Sequence, residues 1–496
     1  MATQRYVLGI DAGTTGVTAA LIDTDGRIAA SATAEFPQYY PRPGWVEHDA
    51  DEIWTTTARV TAELLEGAPP AEIASIGITN QRETAVVWDR TSGRPIHNAI
   101  VWQCRRTAAR CEALRDAGHE PAITATTGLV ADPYFSGPKI AWLLDTVPGA
   151  RQRADALAFG TVDSWLIWNL TGGRAHVTDF TNASRTMLLD IERRAWDDDM
   201  LALLDVPRAV LPDVAPSRAS FGVTRSVGFL PDGLPIGGVA GDQQSALYGQ
   251  TCFDPGDVKN TYGTGCFLLM QAGDERPQSE HGLLTTLACA ADGSPAYALE
   301  GSVFVAGAVV QWLRDELAIL DTAADSEALA ASVADTGGVT FVPAFTGLGS
   351  PYWDADARGG IHGLTRGTTQ AHIVRAALEG IAHSSADVVE AMQRDIGARL
   401  STLRVDGGAS ANDFLMQFQA DVLDVEVVRP QQIETTVLGA AYLAGLDAGM
   451  WSPDDLRSLS DGARRFTPTM PATNRAAHRR AWADAVGRVR WTPSQG

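Results

Sequence analysis

Two turns rich in glycine and threonine, one in each half of the chain, limit the possible folds more than any other feature. The first half opens with an apolar run at 6–10, the turn Asp-Ala-Gly-Thr-Thr-Gly at 11–16 and a second apolar run. The second half repeats this order at 259–270, with Thr-Tyr-Gly-Thr-Gly at the bend. Glycines let backbone N–H groups point toward an anion, and threonine hydroxyls add donors. The pattern predicts two similar domains, each with a phosphate-binding turn.

Alternating strand and helix patterns along the chain predict an α/β fold. Strand patterns cover 6–10, 18–22, 27–33, 73–79, 85–88, 259–270 and 402–405. Helical patterns cover 52–65, 105–117, 139–146, 304–317, 370–393 and 411–422. We place a domain boundary between residues 249 and 250, and we expect the domains 1–249 and 250–496 to face a cleft.

Charge and composition exclude several classes of partner. The formal net charge of −21 disfavours binding to nucleic acid or to an anionic membrane surface. No apolar run approaches the roughly 18 residues of a membrane span, and the first residues do not resemble a signal peptide. The five cysteines form no metal-binding pattern and predict free thiols in a reducing compartment. We therefore expect a cytoplasmic protein.

Nucleotide binding through a P-loop is excluded, because no GxxxxGK[ST] sequence is present. Only Lys139 and Lys259 among the 39 basic residues are lysines, so few candidates exist for a lysine that clamps phosphate. Asp11, at the end of the first strand, has the carboxylate that Mg²⁺ prefers. A third turn, 406–412, joins a strand to a helix and would place N–H groups and Asn412 near a nucleotide. Taken alone, the first turn is equally compatible with an ordinary turn, and the second and third each favour an ordinary turn or cap. Three such turns in one chain favour phosphate binding.

Polar residues at predicted strand ends are candidates for binding a substrate with hydroxyl groups. Asp242 could accept a proton from a hydroxyl, although the sequence supports a helix N-cap equally well. Arg82 and Glu83 would either grip two hydroxyls of a polyol or form a surface ion pair. Trp102 and Tyr134 would cover the apolar face of a small polyol or pack in the core.

Taken together, these segments resemble the FGGY family of carbohydrate kinases. The resemblance extends from residue 6 to residue 447 and is carried by 43–49, 77–84, 98–107, 132–137, 179–187, 241–244, 260–267, 343–349 and 404–409. It implies two ribonuclease H-like (actin-like ATPase) domains flanking a catalytic cleft that closes over the substrates. It also implies phosphorylation of glycerol to glycerol 3-phosphate, with ATP as donor and Mg²⁺ as cofactor. A homodimer and a homotetramer both stay open.

The resemblance further implies a role for each residue that matches a family motif. Asp242 would be the general base, and Asp11 would organise Mg²⁺. Glycerol would be held by Arg82, Glu83, Tyr134, Asp242 and Gln243, with Trp102 and Phe267 against its carbon edge. The ATP site would be lined by Thr14, Thr15, Gly16, Thr18, Thr264, Gly307, Gln311, Gly408 and Asn412.

The first turn departs from the family pattern. Members that phosphorylate glycerol usually read Asp-Gln-Gly-Thr-Thr-Ser-Ser-Arg, whereas this chain reads Asp-Ala-Gly-Thr-Thr-Gly-Val-Thr from residue 11. Thr18 thus replaces an arginine near the phosphates. A charge-assisted hydrogen bond contributes about 1.5–3 kcal/mol, so its loss would weaken nucleotide or transition-state binding roughly 10- to 100-fold. The segment 224–235 also lacks the glycine-rich loop that binds fructose 1,6-bisphosphate in some members, so we expect no inhibition by that effector.

Two alternatives stay open. The first is a kinase of the same family that acts on another polyol or a ketose, and the pair Arg82–Glu83 argues against it. The second is a catalytically silent, glycerol-responsive binding protein, which the altered first turn suggests. The presence of Asp11 and Asp242 argues against a silent protein.

Overall fold

Two β-sheets, of five and seven strands, organise the two halves of the chain. The structure is a computed structural model that describes residues 4–67, 70–354, 356–459 and 462–490. Residues 1–3, part of the segment judged for a signal peptide, lie outside the described residues. In the described ranges, no helix is long and apolar enough to cross a membrane.

The strands and helices alternate along the chain, as the sequence predicts. The strands are β1 (Tyr6–Ala12), β2 (Gly16–Asp23), β3 (Ile28–Glu35), β4 (Glu47–His48), β5 (Ile73–Asn80), β6 (Val86–Asp89), β7 (Ala99–Ile100), β8 (Leu157–Gly160), β9 (Val177–Asp179), β10 (Leu189–Asp190), β11 (Ala195–Trp196), β12 (Asp213–Ala215), β13 (Ile236–Gly241), β14 (Val258–Tyr262), β15 (Cys266–Gly273), β16 (Leu284–Cys289), β17 (Pro295–Val303), β18 (Thr340–Val342), β19 (Gly360–His362), β20 (Thr402–Asp406), β21 (Glu426–Arg429) and β22 (Arg464–Phe466). The α-helices are α1 (Ala50–Leu65), α2 (Ala108–Asp116), α3 (Glu120–Thr127), α4 (Ser136–Thr146), α5 (Val162–Leu170), α6 (Phe180–Ala183), α7 (Asp198–Leu204), α8 (Asp242–Gly249), α9 (Gly307–Asp315), α10 (Asp325–Ala331), α11 (Gln370–Ile396), α12 (Asp413–Leu423), α13 (Thr435–Asp447), α14 (Pro453–Ser458) and α15 (Ala472–Val489).

The first sheet has the strand order β13-β5-β1-β2-β3. Strand β1 is antiparallel to β2, with Asp11 opposite Thr18, and parallel to β5, with Asp11 opposite Thr79. Strand β13 is also parallel to β5, with Gly241 opposite Asn80. The carboxyl ends of β1, β5 and β13 therefore meet at one edge of the sheet, where ligands of α/β proteins commonly bind.

The second sheet repeats this arrangement, with the strand order β16-β17-β15-β14-β20-β21-β22. Strand β14 is antiparallel to β15, and the Gly/Thr turn joins them, just as the first turn joins β1 to β2. Strand β14 is parallel to β20, with Thr261 opposite Asp406. The α/β fold with two similar domains is confirmed.

Helix α13 belongs to the second half of the chain but packs on the first sheet. A Cβ atom at Gly77 in β5 would lie 2.1 Å from the carbonyl oxygen of Ala440, so this close approach requires glycine. At the crossing of α13 with α8, a Cβ atom at Gly439 would lie 1.8 Å from the carbonyl oxygen of Ser245. The proposed boundary at 249 and 250 stays a prediction; it coincides with the end of α8.

Helices α2 and α9 each begin three residues later than the sequence pattern predicts, and α12 begins two residues later, at Asp413. Helix α2 begins at Ala108 rather than at residue 105, because Thr107 takes the N-cap position and Arg105 lies in the preceding turn. Helix α9 begins at Gly307 rather than at residue 304, because the N–H groups of Ala306 and Gly307 donate to carbonyls of the second Gly/Thr turn. These backbone bonds join α9 to that turn.

Candidate active site

The carboxyl ends of β1, β5 and β13 bring the predicted acid, base and polyol-binding residues together. Arg82 and Glu83 follow β5, and Asp242 follows β13 as the first residue of α8. The Nε atom of Arg82 lies 3.3 Å from Asp242 Oδ1 and 3.6 Å from Glu83 Oε1. The alternative of a surface ion pair between Arg82 and Glu83 is wrong, because both side chains are buried.

Arg82 belongs to a closed ring of two arginines and two glutamates that spans both halves of the chain. It donates from Nη1 to Glu300 Oε2 at 2.6 Å and from Nη2 to Glu300 Oε1 at 2.8 Å. Arg185 donates from Nε to Glu83 Oε1 at 2.7 Å and from Nη2 to Glu300 Oε1 at 2.9 Å. All four side chains are buried, and their formal charges sum to zero, which is how a protein interior tolerates charge.

The ring holds its members in their charged forms. Burial acts to raise the pKa of Glu300, but the guanidinium groups of Arg185 and Arg82 outweigh it and lower that pKa to about 2. Burial likewise opposes the charge on Arg82, yet the carboxylates of Glu300 and Glu83 raise its pKa above the usual value. Both ends of the Arg82–Glu300 pair are therefore charged throughout the physiological pH range.

Three aromatic rings form one wall of the same site. The ring of Trp102 lies 5.6 Å from that of Tyr134 and 6.1 Å from that of Phe267, both in edge-to-face geometry. The Tyr134 hydroxyl accepts a hydrogen bond of 3.2 Å from Arg82 Nη2. Burial raises the pKa of Tyr134, so its hydroxyl stays neutral. All three rings are half-buried, so part of each ring is accessible to a ligand.

Asp242 opens toward the cleft at the start of α8. Its side chain is 25% exposed, whereas its partner Arg82 is 1% exposed. Gly241 is the N-cap residue of α8, and Asp242 Oδ1, besides its contact with Arg82, accepts a hydrogen bond from the neighbouring N–H of Gln243 at 2.7 Å. Burial of the carboxyl group raises the pKa of Asp242. The N-cap alternative for Asp242 is therefore wrong, because Gly241 takes that position. The partly exposed Asp242 carboxylate is available to a ligand.

Gln243 extends the site toward the second half of the chain. Its side chain is buried, and Oε1 accepts a hydrogen bond of 2.5 Å from Lys259 Nζ on β14. The Lys259 ammonium also donates to the carbonyl of Phe267 at 3.2 Å. Every predicted polyol-binding residue thus belongs to one connected cluster: Arg82, Glu83, Trp102, Tyr134, Asp242, Gln243 and Phe267.

Asp11, which is predicted to organise Mg²⁺, has a carboxylate oxygen that no other group occupies. Its Oδ1 atom is buried without a hydrogen-bond partner. Burial, together with the negative charges of Asp242 and Glu434, raises the pKa of Asp11 to about 8. An orphaned carboxylate oxygen with two further carboxylates nearby suits Mg²⁺, which keeps most of its water and phosphate ligands and needs one or two protein carboxylates. In the described part of the chain, no group of three or more His, Cys, Asp or Glu side chains forms a complete metal cage.

The first Gly/Thr turn lies beside Asp11 and is linked to the polyol cluster. Thr14 Oγ1 accepts a hydrogen bond of 2.9 Å from Trp102 Nε1, and Thr15 is exposed. A Cβ atom at Gly13 would meet only the Gly16 carbonyl oxygen, at 3.5 Å, so the turn leaves room for a ligand. Thr18 lies within β2 opposite Asp11, and its hydroxyl bonds to that of Thr33 at 2.9 Å.

The other predicted nucleotide residues lie around the carboxyl ends of β14 and β20. Thr264 is exposed in the second Gly/Thr turn, which accepts the first N–H groups of α9, including that of Gly307. Gln311 is exposed on the same helix. Gly408 has open space around it. Asn412 caps α12, with Oδ1 accepting from the N–H of Leu415 at 2.9 Å and Nδ2 donating to Ser326 at 3.2 Å. Its side chain is therefore engaged, and a contact with nucleotide stays a prediction.

Four residues that support the site were not assigned a role from the sequence. Arg185 and Glu300 complete the ion ring, and Lys139 and Lys259 hold backbone and side-chain oxygens beneath the polyol cluster. Glu300 lies alone in the apolar strand β17, and an isolated carboxylate in such a strand is a signal for a buried partner. The rarity of lysine is a second signal, because the two lysines in a chain otherwise rich in arginine indicate positions where arginine does not fit.

The fold and the cluster together define a two-domain kinase of the actin-like ATPase and ribonuclease H-like class, as predicted. The N-terminal domain model of the FGGY family of carbohydrate kinases matches residues 6–249, and the C-terminal domain model matches residues 258–448. The chain belongs to the FGGY family of carbohydrate kinases.

Similar proteins cover the whole length of this chain. A glycerol kinase of Carboxydothermus hydrogenoformans is 56% identical and matches 98% of this chain and 99% of its own. A glycerol kinase of Halorhodospira halophila is 57% identical and matches 98% of this chain and 96% of its own. The crystal structure of Plasmodium falciparum glycerol kinase with ADP is 37% identical, has a TM-score of 0.92 and covers 99% of both chains.

Proposed function

We propose that this protein transfers the terminal phosphoryl group of ATP to glycerol, yielding glycerol 3-phosphate and ADP. The observation that carries the proposal is the compact cluster of Arg82, Glu83, Tyr134 and Asp242 beside the half-buried rings of Trp102 and Phe267. Charged and hydroxyl groups suit the hydroxyls of a small polyol, and the rings suit its carbon edge. The similarity to glycerol kinases supports the same substrate.

Asp242 acts as the general base in this proposal. As a glycerol hydroxyl oxygen forms its bond to the γ-phosphorus, its proton passes to the Asp242 carboxylate, and the bond from the γ-phosphorus to the bridging oxygen of ADP breaks. A pKa raised by burial improves a carboxylate as a proton acceptor near neutral pH. Arg82, at 3.3 Å, orients the carboxylate and is itself fixed by Glu300. Phosphoryl transfer needs mainly such positioning and charge stabilisation.

The two Gly/Thr turns are proposed to hold the nucleotide from opposite sides of the cleft. Thr14, Thr15 and Gly16 would contact its phosphates, and Thr264, Gly307, Gln311, Gly408 and Asn412 would line the remainder. Asp11 would hold Mg²⁺ through its unpartnered Oδ1 atom, and Mg²⁺ when bound neutralises phosphate charge. Closure of the two halves would exclude water, which competes with glycerol as the acceptor.

Another polyol or ketose is the second candidate substrate. A direct test is a panel of glycerol, a tetritol and a pentulose at equal concentrations, with initial rates of ADP release measured at saturating Mg²⁺ and ATP. The proposal predicts the highest kcat/KM for glycerol, because the polar groups and rings of the cluster suit the hydroxyls and the carbon edge of a small polyol. A higher kcat/KM for the pentulose or the tetritol would assign the chain to another activity of the family.

We further propose that the protein works in the cytoplasm. All five cysteines are free and buried, which fits a reducing compartment. Assembly into a homodimer or a homotetramer stays a prediction, as does the absence of a response to fructose 1,6-bisphosphate.

A further inference from the structure

The two lysines of the chain share an unusual environment. The sequence has 39 lysines and arginines, of which only Lys139 and Lys259 are lysines. Both side chains have no exposed surface, although lysine is among the residues least often buried. An ammonium is a compact point charge with three donors, whereas a guanidinium is a planar fork, and the two are not interchangeable in a tight site.

The Lys259 ammonium uses all three of its N–H donors in hydrogen bonds next to the polyol cluster. Its Nζ donates to Gln243 Oε1 at 2.5 Å, to Thr261 Oγ1 at 2.8 Å and to the carbonyl of Phe267 at 3.2 Å. Of the two polar atoms of the planar Gln243 amide, only the oxygen can accept a hydrogen bond from the ammonium. This contact therefore also fixes the direction of the amide group. Lys259 therefore joins the start of α8, which carries Asp242, to β14 and β15.

Lys139 contacts different members of the same cluster. Its Nζ donates to the carbonyl of Glu83 at 3.1 Å and also to the carbonyl of Tyr134. The Ser136 hydroxyl donates to the same Glu83 carbonyl at 3.0 Å. The backbone at two predicted glycerol-binding residues is thus held by one buried ammonium on α4.

We propose that Lys259 and Lys139 are positioning residues of the polyol site, which orient Gln243, Phe267, Glu83 and Tyr134 from below without touching the substrate. The inference rests on the proposed function, because it assigns the residues that shape that glycerol site. Lys259 has a second effect, since its positive charge lowers the pKa of Asp242 against the effect of burial. Removing this ammonium alters both the site and its base.

Removal of either ammonium is expected to change the KM for glycerol without changing the KM for ATP. Methionine fills the space of the lysine stem but leaves buried acceptors unpaired, and such groups are costly. We expect Lys259→Met to raise the KM for glycerol at least about tenfold and to lower kcat. Gln243 loses the hydrogen bond that orients its amide group, and Asp242 loses a nearby positive charge. Lys139→Met should raise the KM for glycerol with a smaller change in kcat. The KM for ATP should stay within about twofold in both variants.

Gln271→Met is the matched control. Gln271 is also buried on β15, and its Nε2 donates to the carbonyl of Cys289 at 2.9 Å, away from the polyol cluster. This variant should lose stability without altering either KM. Parental values of kcat and of the KM for glycerol in a folded Lys259→Met protein would overturn the proposal. Equal changes in the KM for ATP and for glycerol would overturn it as well, because they indicate a general structural role.

The unaltered protein provides a second test, which does not depend on the folding of a variant. Labelling of lysine with ¹³C at Cε gives two NMR signals from a chain with two lysines, and both should shift on saturation with glycerol. If the protein shows glycerol-dependent ADP release but neither signal moves, the positioning role is wrong while the proposed function stands. If ADP release is independent of glycerol, the proposed function itself has failed.

Discussion

Glu300 holds Arg82 with both of its carboxylate oxygens, at 2.6 and 2.8 Å, across 218 residues of sequence. The contact joins the second sheet to the polyol cluster of the first. Because Glu300 Oε1 also accepts from Arg185, one carboxylate compensates two buried guanidinium groups. The polyol site is thus shaped by an ion ring whose members come from both halves of the chain.

Replacement of this carboxylate tests the ring. Glu300→Gln leaves Arg185 paired with Glu83 alone, and Arg82 with Glu83 and the partly exposed Asp242. Breaking a buried ion pair typically costs about 3–5 kcal/mol. We expect the free energy of unfolding, measured by chemical denaturation, to fall by about that amount, and the KM for glycerol to rise. Glu192→Gln removes an exposed partner of Arg276 and should change neither quantity. A Glu300→Gln protein as stable as the parent would show that the ring is not compensating charge.

Asp242→Asn tests the general base. Asparagine keeps the shape of the side chain but cannot accept the hydroxyl proton, and loss of a general base costs roughly 10²–10⁴-fold in rate. We expect kcat to fall by at least about two orders of magnitude, with the circular dichroism spectrum unchanged. Asp198→Asn is the matched control, because Asp198 is also the first residue of a helix, α7, and lies away from the site. A nearly parental kcat in Asp242→Asn would show that Asp242 has only a structural role.

Thr18→Arg tests the departure in the first turn. The register places residue 18 opposite Asp11, so an arginine there adds a positive charge beside the predicted phosphate and Mg²⁺ site. We expect the KM for ATP to fall by about 10-fold or more, while the KM for glycerol stays nearly unchanged. Thr33→Arg, one strand further away, should have a smaller effect. Unchanged ATP kinetics, or loss of activity, would mean that the turn has adapted to its present residues.

The two buried lysines lead us to expect that the KM for glycerol depends on pH. Burial lowers the pKa of Lys139 and of Lys259 to about 8 each, against a usual value near 10.4. Above pH 8 each amine loses a proton, so Lys259 can no longer supply three donors, and the KM for glycerol should rise. The charged groups that act on Lys259 are Asp406, Asp242, Arg82 and Glu300.

The same titration is visible without enzyme assays. The two ¹³Cε lysine signals should titrate with midpoints near 8, and the KM for glycerol should follow the same curve. Lys259→Met should start from a high KM and show a smaller increase with pH. Midpoints near 10.4, the usual lysine value, would contradict the burial of charged ammoniums.

The sequence predicted the parts of the site that lie in turns and at strand ends. Asp11, Arg82 and Asp242 are recognisable because each lies at or just after the carboxyl end of an apolar strand, and parallel strands place these ends at one edge of a sheet. The hairpin of β2 and β3 and the strand–turn–strand of β14 and β15 followed from local patterns in the same way.

The supporting residues could not be found by the same reasoning. Glu300 and Arg82 are far apart in sequence, and no local pattern specifies which buried charge pairs with which. The return of α13 onto β5 also depends on a contact between distant segments, Gly77 and Ala440. Helix α9 begins late because its first N–H groups bond to a turn some 40 residues earlier, a tertiary contact that overrides the local pattern.

Release of ADP by the purified protein with Mg²⁺ and ATP, measured with and without glycerol, tests directly whether glycerol accepts the phosphoryl group. ³¹P NMR of the same samples identifies the phosphorylated product. We expect ADP release that depends on both glycerol and Mg²⁺, with one glycerol 3-phosphate formed for each ADP. Equal release of ADP with and without glycerol would contradict it.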